Sequence, residues 1–205
     1  MTDKGDTKSR ILDAAEKLFG MNGFEATSLR EITAEASVNL AAINYHFQTK
    51  DSLIDAIVAR RIEPVNKRRL ELLEAAGPNP ALEKILTAFM APVMQVRADT
   101  MVPLIGRILS NPDLFVDRVF LKHLAPVSQC FVEALSKALP DLPPSDVLWR
   151  LHFSVAVMTH TMLWGKVYPK ITNGICDITD RDALVDRAVR FVAAGFRAPA
   201  SQESD

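Results

Sequence analysis

"SLREITAEASVNLAAINYHFQTK", residues 28–50, carries two short helical signals separated by a three-residue turn. In the first half, Ser28-Leu29-Arg30-Glu31 has the S-x-x-E form of a capping box, Ser28 closing on the backbone at Glu31 and Glu31 reaching back. That start places Leu29, Ile32 and Ala36 on one side of a helix. In the second half, Asn39 is the expected cap, because its side chain can accept a hydrogen bond from an orphan helix N–H. At about 100° per residue, Ile43 and Phe47 then face inward while Ala41, Asn44 and Tyr45 cluster on another side. Two helices of about eight residues joined by so short a turn form a helix-turn-helix.

Outward from this stretch, apolar residues keep helical spacing almost everywhere, and no alternating β-branched run competes. The fold class is therefore all-α. A first helix is expected from about Thr7 to Met21, with Ile11, Ala15, Leu18 and Phe19 on one face and Gly23 ending it. A fourth starts near Asp51 and runs to about Ala76, with a kink expected at Pro64. Asn79-Pro80 reads as a cap followed by Pro in the first helical turn. These signals divide the chain into a helix-turn-helix module (1–50), a connecting helix (51–78), a helical domain (79–198) and a frayed, disordered tail (199–205).

Composition narrows the function. With 24 basic against 25 acidic side chains the net charge is −1, which excludes a wholesale polycation and nothing narrower. Cys130 and Cys176 stand far apart without zinc or disulfide spacing, so they read as free thiols in a reducing cytosol, and no metal or cofactor is expected. "MTDKGDTKSR" lacks the apolar core of a secretory signal. Leu151–Trp164 is too interrupted by polar residues to span a bilayer. No nucleophile, base and orienting group share a recognisable spacing with His123, His152 or His160, and there is no glycine-rich phosphate loop; nothing points to an enzyme.

Residues 11–57, "ILDAAEKLFGMNGFEATSLREITAEASVNLAAINYHFQTKDSLIDAI", resemble the TetR family of bacterial transcriptional regulators in the order and spacing of "GFEATSLREI", the turn, "YHF" and Lys50. The resemblance implies that the third helix enters the major groove of a double-stranded operator and that the starts of the second and fourth helices hold phosphates. Thr27, Ser28, His46 and Lys50 are thereby assigned to the DNA backbone, and Asn39, Leu40, Ala41, Ala42, Asn44 and Tyr45 to the reading surface. Members of the family often carry a basic residue and then Gly where Leu40 and Ala41 stand, and an aromatic where Asn44 stands. Here an amide and methyl groups replace them, which suits adenine and thymine. The basic run Arg60–Arg69 lies too far along the fourth helix for the same phosphates, and is expected to be a solvated face.

The rest of the chain resembles the family only as a helical effector and dimer domain. Phe89, Met90, Met94, Met101, Phe115, Phe120, Trp149, His152 and Met158 are soft or aromatic residues suited either to a ligand pocket or to ordinary core. Arg107, a cation among apolar neighbours, can meet an acidic or thioester-linked head group or stand on the surface. The last two helices, about Ser145–Lys166 and Thr179–Phe196, resemble the family's dimer-forming pair. Their expected apolar stripes are Val147, Leu151, Val155, Met158 and Met162 on one, and Leu184, Ala188, Phe191 and Val192 on the other. The expected protein is a homodimeric repressor released from a palindromic operator by a small hydrophobic effector; the alternative is a helix-turn-helix interaction protein that no longer binds specific DNA.

Overall fold

The computed structural model describes residues 4–96, 106, 108, 115–165 and 167–200, with backbone alone at 4, 5, 115 and 118. Within them all regular structure is helical: α1 (Lys4–Asn22), α2 (Leu29–Ala36), α3 (Leu40–Phe47), α4 (Lys50–Ala75), α5 (Leu82–Met94), a π-helical segment (Phe115–Leu124), α6 (Ala125–Ala138), α7 (Pro144–Trp164), the short α8 (Tyr168–Ile171) and α9 (Arg181–Phe196). None of these helices is long and apolar enough to cross a membrane. The chain divides into two compact units, one within residues 1–63 and 97–123, the other within 64–96 and 124–205. The division falls inside α4, at Pro64, between the element boundaries expected at residues 50 and 78.

In the first unit, Gly23 ends α1 as the sequence indicates: its φ of 91° is one that glycine reaches without a Cβ penalty, and its N–H donates to Phe19 O at 2.9 Å. Ile11, Ala15 and Phe19 of α1, Ile32 and Ala36 of α2, Ile43 and Phe47 of α3, and Leu53, Ile54 and Ile57 of α4 are all buried. Between α1 and α4 lies a carboxylate. Glu16 is 3% exposed and accepts from Arg60 Nη2 at 2.6 Å and Arg61 Nε at 2.7 Å, while Asp13 accepts from Arg60 Nη1 at 2.7 Å. Burial works against the Arg60 charge, but the hydrogen bonds to Glu16 and Asp13 outweigh it and hold the guanidinium above its ordinary pKa. Lys122 of the π-helical segment adds an ion pair to Asp55 of α4 at 2.7 Å.

The expectation of a solvated basic face over Arg60–Arg69 is therefore corrected. Lys67 and Arg68 do stand in solvent. Arg60 and Arg61 are turned onto the buried Glu16, and Arg69 is itself buried. The physical reason is position on α4: Val65, Arg69, Leu72 and Leu73 recur at i, i+4, i+7 and i+8, so Arg69 shares their inward stripe.

In the second unit, α5, α6, α7 and α9 enclose one core that includes Ile85, Leu86, Phe89, Met90, Phe131, Leu135, Val147, Leu151, Met158, Val189 and Phe196. Two expectations are corrected here. α5 begins at Leu82 with Ala81 as its cap, and Asn79-Pro80 lie before it; the helix starts where the apolar repeat Leu82, Ile85, Leu86, Phe89 gives it a face to bury. On α9 the buried set is Val185, Ala188, Val189, Val192, Ala193 and Phe196, a stripe at i, i+3, i+4, i+7, i+8 and i+11 that leaves Phe191 on the far side, 71% exposed. Arg150 of α7 closes the unit: Nη1 donates to the carbonyls of Gly195, Phe196 and Ala198, and Nη2 to Asp146 Oδ2 and Pro199 O, each at 2.8–3.0 Å. Part of the tail expected to fray is thus tied to α7, while residues 201–205 lie outside the described ones.

Removing the carboxylate at Glu16 leaves two half-buried guanidiniums facing each other. Glu16→Ala is expected to lower stability by about 2–3 kcal/mol, below the full cost of breaking a buried pair because both arginines keep some solvent. Urea unfolding of the variant beside Lys17→Ala, which breaks the exposed Lys17–Glu35 pair and should cost under about 1 kcal/mol, measures the difference.

Candidate nucleic-acid interface

The exposed surface of α3 is positioned by caps. Ser28, extended at φ −93° and ψ 155°, accepts from Glu31 N through Oγ at 3.2 Å, and Glu31 Oε2 accepts from Ser28 N at 2.7 Å, so the capping box is complete. Asn39 Oδ1 accepts from Ala42 N at 2.9 Å and starts α3. Thr49, which the sequence reading passed over, caps α4: its Oγ1 accepts from Ser52 N at 3.0 Å. A Thr three residues before Ser, just ahead of a helix, was the available signal.

The turn between α2 and α3 is held from outside. Ser37 takes a left-handed conformation at φ 53°, one that glycine adopts more cheaply. Arg10 of α1 donates through Nη2 to the carbonyls of both Ala36 and Ser37. A charge-assisted pair of bonds on two carbonyls at a helix C-terminus offsets the strain and fixes the angle at which α3 leaves α2.

On α3, Ile43 and Phe47 are buried against the unit. Leu40, Ala41, Asn44 and Tyr45 are exposed, Tyr45 at 66%, and Ala42 and His46 are half-buried. The Tyr45 and His46 rings meet edge to face with centroids 5.0 Å apart. No side chain of α3 is an Asp, Glu, Lys or Arg. Charge enters from neighbours. Lys50 is half-buried, its Nζ at 3.5 Å from Glu25 O, and its field contributes, after the hydrogen bonds from Ser28, to holding Glu31 below the usual carboxylate range. Ser28, Glu31 and Lys50 thus share one rim. Lys8 of α1, which the sequence reading did not single out, lies 5.9 Å from the Phe47 ring centroid, placing a second cation beside the end of α3.

Thr27 sits differently from the residues grouped with it. It is 1% exposed, and its hydroxyl donates inward to Gly23 O at 2.8 Å. Its side chain holds the α1–α2 turn and is not on the outer surface.

The residues named for a ligand separate into groups. Phe89, Met90, Met94 and Met158 come together in the buried core of the second unit. Trp149 and His152 lie exposed on the outer side of α7, where Trp149 stacks on Phe153 with centroids 5.8 Å apart. Phe120 is in the first unit and partly exposed. Met101, Arg107 and the Phe115 side chain lie outside the described residues.

Residues 11–57 match the family model described as bacterial regulatory proteins, tetR family, and residues 87–195 match the model of the tetracyclin repressor-like C-terminal domain. Over 76 residues the chain is 40% identical to the probable HTH-type transcriptional regulator YttP of Bacillus subtilis, covering 37% of this chain and 35% of that protein. Over 85 residues it is 33% identical to the HTH-type transcriptional repressor Rv3405c of Mycobacterium tuberculosis, covering 42% and 43%. The match thus spans less than half the length of these curated relatives. In structure the chain is similar to the fatty acid degradation regulator FadR of Bacillus halodurans, with a TM-score of 0.64 at 15% identity over 97% of this chain and 100% of that one. It is also similar to SCO4454, a TetR-family regulator of Streptomyces coelicolor, with a TM-score of 0.59 at 18% identity over 94% and 95%. Both likenesses are of fold.

Two substitutions separate reading from charge. Asn44→Ala is expected to relax base preference at one or two A·T positions, losing about 1–3 kcal/mol of discrimination there. Binding across a panel of single-base operator variants checks it; uniform weakening on every variant would sink the assignment. Lys50→Ala is expected to weaken all sequences alike and to reduce the slope of log K against log salt by about 0.9 for each phosphate released.

Proposed function

This chain belongs to the TetR family of bacterial regulatory proteins, a family of DNA-binding transcriptional regulators and not of enzymes, and from that membership we propose that it is a homodimeric repressor released from a palindromic operator by a small hydrophobic effector. The observation that carries the DNA part is the exposed side of α3, where Asn44 and Tyr45 stand beside Ala41 and Leu40 with Ser28 and Lys50 on the rim. An amide and methyl groups at base level with cations at backbone level is a division of labour suited to groove reading.

The homodimer reading changes faces. The stripe Val147, Leu151, Met158 and Met162 is buried within this chain. What α7 turns outward is Leu148, Trp149, Phe153, Leu163 and Trp164, and α9 adds Phe191. Large apolar side chains at helical spacing on the outside of a folded unit need a cover, and aromatic residues are enriched in such contacts. A second copy of the same face supplies it with two-fold symmetry, which sets two recognition helices for half-sites about 34 Å apart. The effector acts on the second unit by favouring one of two states, and α4, which runs from Lys50 into that unit, is the covalent path to the reading helix.

Titration of the full chain on duplex from upstream of its own gene, against random duplex at several salt concentrations, tests the reading. A preference that survives rising salt is expected; its absence would leave the interaction protein as the better account. Phe153→Glu is expected to shift the protein to monomer in sedimentation and to weaken operator binding by at least about tenfold, since one half-site contact is lost.

A further inference from the structure

Arg69 is the one lysine or arginine among the described residues that is fully buried, 6% exposed. Its company is unusual for a buried charge. Nε donates to Phe89 O at 2.9 Å, Nη1 to Asn66 Oδ1 at 3.3 Å, and the guanidinium lies 4.5 Å from the Phe89 ring centroid. No carboxylate of the described residues pairs with it. Of the partly buried arginines, Arg60 and Arg61 hold Glu16 and Arg150 holds Asp146, while Arg10 and Arg181 donate to backbone carbonyls and are more exposed than Arg69. Burial alone pushes the Arg69 group down to about 10, so it stays a cation at neutral pH.

A carbonyl, an amide oxygen and a ring face each offer partial negative charge, and together they do not neutralise a desolvated guanidinium. A side chain kept only for packing at this point of the α4 stripe would be apolar, since Val65, Leu72 and Leu73 occupy its neighbouring stripe positions. The planar fork of arginine matches the two oxygens of a carboxylate or phosphate. Around it the chemistry is apolar: Phe89 lies against Phe131 with centroids 5.1 Å apart, and Phe89, Met90 and Phe131 belong to one buried core.

We infer that the effector is an amphiphilic acid whose anionic head group is received by Arg69, with Asn66 beside it and its apolar part among the core residues of the second unit. The inference rests on the effector-responsive reading above and adds to it a chemical class and an anchoring residue. Arg107, named from sequence for the same role, lies outside the described residues; Arg69 is buried, with neutral acceptors among the described residues.

The test uses the full chain and two matched probe series, straight-chain carboxylates from octanoate to palmitate and the primary alcohols of the same lengths. Thermal unfolding and calorimetry read binding. The acids are expected to bind at least about tenfold tighter than their alcohols, and Arg69→Met is expected to abolish that advantage. Acids and alcohols acting alike on the unaltered protein, including neither acting at all, overturn the inference; so does an acid advantage that persists in Arg69→Met. Should Arg69→Met not unfold cooperatively, Arg69→Lys decides: exchanging a fork for a point charge should weaken acid binding by about tenfold, and unchanged binding overturns the inference. Acids that bind through Arg69 yet leave operator affinity unaltered would uphold the anion site while removing the effector reading.

Discussion

A carboxylate buried between two guanidiniums is the constraint on which the DNA-facing unit depends. Glu16 is nearly inaccessible, and its two partners come from consecutive residues of α4, so α1 and α4 are fixed in rotation as well as in distance. Arg10, two turns earlier on α1, then holds the turn that launches α3. Orientation of α3 thus passes from one ion cluster, through a single helix, to two backbone carbonyls. Apolar contact fills the space between, as Ile11, Ile32, Ile43 and Phe47 show, but a greasy interface alone would allow sliding that charge-assisted bonds do not.

Among the described residues the same residue type serves several ends, and burial and partner distinguish them. Arg60 and Arg61 are paired with acid and are structural. Arg150 gathers four carbonyls and an aspartate to close a helix end. Among the described residues Arg69 has neutral acceptors only. Keeping a desolvated cation beside neutral acceptors is costly, which is why its place beside the core of the second unit carries more meaning than that of the exposed Lys67 or Arg68.

How much of this could be read from the sequence follows the range of the forces involved. The capping box at Ser28 and Glu31, the Asn39 cap and Gly23 are local patterns, each fixed by residues within four positions, and are found as expected, as are the inward faces of α1 to α3 apart from Leu18 and Leu29, which are half-buried. Asn79-Pro80 is also local, yet the start of α5 is set two residues later, by where its apolar repeat can be buried; tertiary packing outweighed a cap signal. The basic run Arg60–Arg69 lies as far along α4 as expected, but Arg69 shares the inward apolar stripe and Arg60 and Arg61 turn onto the buried Glu16, contacts between helices that distance along one helix does not show. Phe191 misled in the opposite direction, an aromatic counted into a stripe whose true period excludes it. Of the site, the α3 surface was visible in sequence, whereas the inward turn of Thr27 and the approach of Lys8 to Phe47 depend on contacts between helices that no spacing encodes.

For a regulator that binds DNA through this face, the lack of charge on α3 separates grip from choice. In the reading proposed above, lysines at the rim would hold any duplex, and counter-ions would compete with them equally on all sequences. Amide and methyl contacts at base level are nearly indifferent to those ions. Rising ionic strength should then shorten dwell on random DNA much faster than it erodes discrimination, so a crowded chromosome would be searched by brief visits and the right site recognised by how long the visit lasts.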